Sequence, residues 1–160
     1  MRVKTQSLVG EYWHVDEDDP AIDKSEPKWR AAFERALETG DLNALPLKNG
    51  ASDPPAIFRL RHLSAREYRW LLDYDARREG VNEMMWEAVA LALIGVRGVT
   101  DQDGRPLELE RGRFPGCGSW QSAKPEQVNA LMADEDGRYE ADRLNRLAER
   151  VLVDTAPRKG

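Results

Sequence analysis

The segment Gly98–Glu110, GVTDQDGRPLELE, carries the spacing of an oxygen-ligand loop. With Gly104 at the sharp-turn position of a calcium-binding EF loop, Asp101, Asp103 and Glu110 all fall on ligand positions. Two other residues break the pattern. Val99 stands where the first carboxylate belongs, and hard Ca²⁺ needs that oxygen. Pro106 cannot donate the backbone hydrogen bond through which paired loops form their small sheet. The same letters fit a hairpin, with GVT and RPLEL as short strands around a Gln-Asp-Gly turn and Gly104 at positive φ. No metal is expected here.

Gly116–Trp120, GCGSW, is similar to the nucleophile loop of papain-like proteases, which reads Cys-Gly-Ser-Cys-Trp. Ser119 occupies the place of the reactive cysteine, and the only histidines, His14 and His62, lie upstream, against that family's order. Nor does the segment satisfy the G-x-S-x-G serine elbow. It reads as a glycine loop with Trp120 packed back on the body. His14 stands among Glu11, Asp16, Glu17, Asp18 and Asp19, but consecutive acids cannot all face one ion, so a solvated acidic arm is expected. Arg59, Arg61, Arg66, Arg69, Arg77 and Arg78 interleave with Glu67, Asp73, Asp75 and Glu79, as a salt-bridged helix face does. With no phosphate loop, HExxH or CxxC, no catalytic residue and no cofactor is assigned.

The elements that would position these residues are mostly helical. The start offers RVKTQSLV and EYWHV, one or two strands or an extended arm. Ser25 and Pro27 open a helix whose stripe is Trp29, Ala32, Phe33, Ala36 and Leu37, and Gly40 stops it. DLNALPLKNGASDPP then reads as a linker or mobile segment. AIFRLRHL alternates as a half-buried strand, and Ser64 and Glu67 form a capping box opening a helix with Tyr68, Leu71, Leu72 and Asp75 that runs to Gly80. Asn82 caps a central helix containing Met85, Trp86, Val89, Ala92 and Leu93. After the glycine loop, Pro125 starts a short helix through Val128, Leu131 and Met132. DEDG breaks it, and a last helix carries Tyr139, Leu144, Leu147, Ala148 and Val151 before a fraying tail. The expected class is α+β, mainly helical, with four to five helices, a β-hairpin near 98–109 and one or two further short strands. Residues 1–55 form an arm, a helix and a linker; residues 56–154 form the helical core domain.

Composition narrows the function. The 160 residues, 41% hydrophobic and 33% charged, support one domain with a heavily charged surface. A net charge of −5 argues against nucleic acid and against anionic membranes as partners. Cys117 is the only cysteine, which excludes an intramolecular disulfide and a multi-cysteine zinc site and points to a reducing cytoplasm. No signal-peptide h-region precedes the acidic run, and the longest apolar run, Ala88–Val96, is too short to span a bilayer.

Two stretches carry a family likeness. Leu60, Arg61, Leu63, Ser64, Arg66, Glu67 and Tyr68 match an LRxLTxREY-like helix entry. Gly95, Gly98, Val99, Thr100, Asp101, Asp103, Gly104, Pro106 and Leu107 match a GWEGVTDxDGxPL-like hairpin. From residue 56 to about 153 the chain thus resembles bacteriophage proteins of the tail assembly chaperone type, encoded in virion morphogenesis clusters. Arg97 stands where an acid is often seen, the glycine loop 111–120 looks like an insertion, and residues 1–55 have no counterpart. The resemblance implies a non-enzymatic protein of the host cytoplasm that binds phage structural proteins of the tail or head–tail region. A structural virion component, such as a connector, tail or capsid-associated protein, is the alternative, and a homo-oligomer stays open. Trp29, Phe33, Trp70 and Trp120 are the expected partner contacts, although core burial is the commoner fate of such side chains.

Overall fold

A computed structural model describes residues 10–50, 53–73, 80–133, 137–138 and 140–155. Several sequence expectations lie outside them: the strand RVKTQSLV, the helical run through Asp75 with Arg77 and Arg78, the DEDG break, Tyr139 and the tail. Within the described residues the fold is α+β and mainly helical. A three-stranded sheet has the order β1 (Glu11–Val15), β2 (Ile57–Arg61), β3 (Leu93–Arg97). The helices are α1 (Trp29–Thr39), α2 (Ala65–Leu72), α3 (Val81–Ala92), α4 (Pro125–Leu131) and α5 (Ala141–Thr155). A two-stranded antiparallel sheet pairs β4 (Arg111–Gly112) with β5 (Ser122–Ala123).

Contacts group the chain into two compact units, one of Tyr12–Arg59 with Gly95–Glu108, the other built mainly of Leu60–Ile94 and Leu109–Gly160. The turn segment that follows β3 in sequence therefore groups with Tyr12–Arg59 rather than with the residues that follow it.

The first unit closes around Val15, Ile22, Phe33, Ala36, Leu45 and Ile57, with Trp13, Trp29, Leu37 and Leu42 packed against them. The stripe of α1 is the expected one except at Ala32, which is exposed. Its start differs as well. Lys28, not Ser25, is the N-cap, and it makes no side-chain cap; Ser25 instead donates its amide to Asp23 Oδ1 at 2.9 Å. An Asx turn has thus claimed the serine one turn early. Gly40 ends the helix at φ 75°, its N–H on Ala36 O at 3.0 Å. The expected linker is also corrected. Residues 42–44 form a 3₁₀ turn, Leu45 is buried, and Ile22 and Leu47 form an antiparallel bridge. Two hydrogen bonds flank it, Asp23 N to Pro46 O at 2.8 Å and Lys48 N to Ala21 O at 2.9 Å. Pairing of backbone groups with an earlier segment is invisible to local composition.

In the second unit α3 packs chiefly on α5. Ala88 to Leu93 are fully buried, and the alanines let a neighbouring element approach closely. The facing stripe of α5 is Leu144, Leu147, Ala148 and Val151 at i, i+3, i+4, i+7. Each fully buried Leu or Val is worth roughly 1.5–3 kcal/mol relative to exposure. The cap of α3 is Gly80 rather than Asn82, and its helix gives way to β3 at Leu93, a strand not foreseen. Continuous apolar runs such as AVALALIGV have no period to tell helix from strand. Helix α2 ends at Leu72 with Asp73 as its cap, and Leu72 faces outward instead of joining the core stripe.

Arg111 closes the end of α3. Its guanidinium donates to the carbonyls of Leu93, of Leu91 at 3.0 Å and of Ala90 at 3.5 Å, and to Gln121 O at 3.3 Å. These include carbonyls the helix terminus leaves without intrahelical donors, and a cation there also answers the negative end of the helix dipole. Burial and the neighbouring Arg61 lower its pKa to about 10 against the opposing pull of Glu67 and Cys117, so it stays charged at neutral pH. Arg111→Met keeps most of the apolar stem and removes the donors. It is expected to cost about 2 kcal/mol by urea denaturation; a loss below a few tenths would show that water replaces the guanidinium.

Candidate functional site

The residues singled out for chemistry are mostly committed to backbone. Asp101 Oδ1 accepts the amides of Asp103 at 2.9 Å and Arg105 at 3.0 Å, Asp101 N donates to Arg105 O at 2.7 Å, and Gly104 takes φ 76°. The turn forms as expected, but the flanking strands shrink to a single antiparallel bridge, Thr100 with Pro106. Pro106 has no N–H with which to extend the ladder. Glu110, the distal acid, pairs with Lys124 Nζ at 3.0 Å. If Asp101 serves the turn, Asp101→Ala costs about 1 kcal/mol, Asp101→Asn much less, and Ca²⁺ leaves the melting temperature unmoved. Saturable stabilisation by Ca²⁺ would overturn that reading.

The acidic run is not a solvated arm. His14 Nε2 lies 2.9 Å from Asp16 Oδ1, and both side chains are largely buried. Glu17 takes Arg30 at 2.8 Å, and Asp18 stands 3.6 Å from Lys24. Asp19 accepts two amides, Ala21 N at 3.0 Å on Oδ1 and Ala56 N at 2.9 Å on Oδ2. Four consecutive acids thus have four different duties.

Cys117 is buried, its Sγ 3.9 Å from Glu87 O, in the loop between β4 and β5. The glycines on either side hold positive φ, 127° at Gly116 and 60° at Gly118. A Cβ on Gly116 would sit 3.3 Å from Trp86 Cζ3, and one on Gly118 would sit 3.2 Å from Trp70 Cζ2. The loop is a seat for two indoles. Trp86 is further fixed by its Nε1–H on Asn129 Oδ1 at 2.9 Å.

The four expected contact residues separate. Phe33 is core and cannot serve as a surface anchor in this fold. Trp29 packs edge-on against it, with ring centroids 6.1 Å apart, and carries Lys24 and Arg30 over its own ring, at 5.3 and 4.9 Å. Trp120 is half-buried, and its backbone amide donates to Cys117 O at 3.1 Å. Trp70 is half-buried too, but it lines an open hollow of about 560 Å³ together with Arg66, Arg69, Leu72 and Asp73. No family model, characterised protein or solved structure matches this chain. The hollow must therefore be judged on its own chemistry.

The expected salt-bridged helix face holds only in part. Arg61 forks onto Glu67 at 2.9 and 2.5 Å, whereas among the described residues no ion pair engages Arg66 or Arg69. Leu72, half exposed at 51%, completes a patch with a basic edge and an apolar floor. Sequence reading found each of these residues but assigned Leu72 inward and paired the arginines. The available signal was the spacing of Arg66, Arg69 and Trp70, which places all three off the Leu71 core face of α2.

Proposed function

We propose that this chain is a non-enzymatic bacteriophage morphogenesis protein that works by protein–protein contact, as a tail assembly chaperone. The carrying observation is the Trp70–Leu72 hollow, whose Arg66 and Arg69 make no ion pair among the described residues. Indole and guanidinium are the groups that most often dominate interface energetics. Support also comes from the resemblance itself, whose residues do structural work. Ser64 and Glu67 make a complete capping box, and Asp101 and Gly104 make a tight turn, so the likeness is one of backbone-forming devices. The groups with catalytic potential, Cys117, His14 and the acids near them, are held in structural contacts. Among the described residues no helix is long and apolar enough to cross a membrane.

The test is co-expression with bacteriophage tail and head–tail proteins, followed by co-purification and quantitative mass spectrometry of purified particles. A chaperone co-purifies with a tail component and is absent or scarce in particles. Stoichiometric presence in the particle would replace this reading with the virion-component one, and failure to hold any phage structural protein would sink both.

A further inference from the structure

The hollow on α2 also indicates what kind of segment it takes. Arg66 and Arg69 stand one helical turn apart on an exposed face, where like charges at i, i+3 repel. Two other cations of the same unit, both half-buried, are answered, Lys124 by Glu110 at 3.0 Å and Arg143 by Glu140 at 3.1 Å. At the hollow neither arginine makes an ion pair among the described residues, with Asp73 the one carboxylate on the described lining, and an anion bound at the two would relieve the repulsion. A carboxylate is well matched, because a guanidinium binds it through two parallel hydrogen bonds.

Beside the arginines lies an apolar contact. Trp70 is held against the backbone of Gly118, where even a methyl group would come within 3.2 Å of the ring, so the indole is seated before any partner arrives. An anchor that is already ordered loses little entropy on binding. Leu72 supplies a second apolar wall, and Asp73 closes the rim. The volume suits a few side chains, and its openness to solvent suits a passing chain segment better than an enclosed small molecule.

We infer that the hollow is a docking site for an acidic peptide segment of a partner protein, with an apolar side chain seated on Trp70 and Leu72 and flanking carboxylates on Arg66 and Arg69. The inference rests on the protein-contact reading above and adds the chemistry of the partner. Charge complementarity is local: the chain as a whole carries −5, so a long polyanion such as RNA meets net repulsion where a short acidic segment meets two cations against the single carboxylate of Asp73.

The probe is a short fluorescein-labelled peptide of Asp and Glu residues around a central Phe-Leu pair, titrated with the full chain and followed by anisotropy. Saturable binding is expected, weakened at least about tenfold in Arg66→Gln/Arg69→Gln and in Trp70→Ala. The Gln pair should leave circular dichroism unchanged and melting no lower, since it removes a like-charge pair, which separates lost contact from lost fold. A matched peptide with Lys in place of the acids should not bind. Absence of saturable binding, equal affinity in the Gln pair, or tighter binding of an oligouridylate than of the acidic peptide would each overturn the assignment. The co-expressed tail partner separates the two levels. If Arg66→Gln/Arg69→Gln still retains it fully, the docking site is wrong and the contact reading stands. If the unaltered chain retains no partner, the contact reading is wrong, and the peptide titration decides the hollow independently.

Discussion

Gly98→Ala is expected to destabilise the protein by roughly 3 kcal/mol or more, while Gly104→Ala, a few residues on, costs about 1 kcal/mol. Both glycines sit at nearly the same φ, 78° and 76°, so both variants carry the strain of a left-handed L-residue. They differ in what a methyl group meets. At Gly104 nothing lies within 4 Å, whereas at Gly98 the new Cβ would fall 2.1 Å from Pro55 O and 3.1 Å from Pro55 C. That obstacle is backbone, and it cannot retreat cheaply. Asp19 Oδ2 holds the Ala56 amide at 2.9 Å while its other oxygen holds Ala21 N. Moving the Pro55–Ala56 peptide would break that link or leave a carboxylate oxygen unpaired. Urea denaturation of the two variants side by side is the measurement. Equal losses would mean that the close approach of Gly98 to Pro55 is relieved elsewhere.

The second large effect is at Glu67. Its carboxylate is 7% exposed, receives both arms of Arg61, and accepts Ser64 N at 3.0 Å in the capping box. Glu67→Ala removes all of these at once and leaves Arg61 uncompensated beside Arg111. We expect a loss of about 3 kcal/mol, at the low end for a broken buried pair because Arg61 keeps some access to water. Ser64→Ala, which loses only the other half of the box, should cost about 1 kcal/mol. The same site predicts a pH dependence. Burial raises the Glu67 carboxyl, but Arg61 and the Ser64 amide outweigh it and hold the group below its ordinary 4.5. A depressed carboxyl contributes stability that is complete above the unfolded pKa and is lost as pH falls through the folded one. Stability of the parent should therefore decline below about pH 4.5 more steeply than that of Glu67→Gln, which has no carboxyl to protonate there. Parallel acid profiles would remove Glu67 from that account.

What the sequence made legible was local. The capping box needs only Ser64 and Glu67 at the right spacing, the α5 stripe only its period, and the Gly104 turn only Asp and Gly in order. What stayed hidden depends on partners distant in sequence. Leu47 pairs with Ile22, Asp19 reaches Ala56, and Arg111 reaches back to the end of α3. Strand β3 was hidden for another reason, since the continuous apolar run that leads into it has no period to tell helix from strand. At the hollow, Arg66, Arg69 and Trp70 were each visible, but spacing alone suggested ion pairs and an inward Leu72. Only packing shows which face of an eight-residue helix is left outside.

The glycines that flank Cys117 give the molecule a built-in optical gauge. Gly116 lies against Trp86 and Gly118 against Trp70, so two of the five indoles share one loop as a wall. Any event that lifts the loop wets both rings together and shifts their emission to longer wavelength. An event that only covers the α2 hollow shields Trp70 from a soluble quencher and leaves Trp86 unchanged. Comparing Trp70→Phe with Trp86→Phe during a titration would therefore tell docking apart from loop opening without any added label.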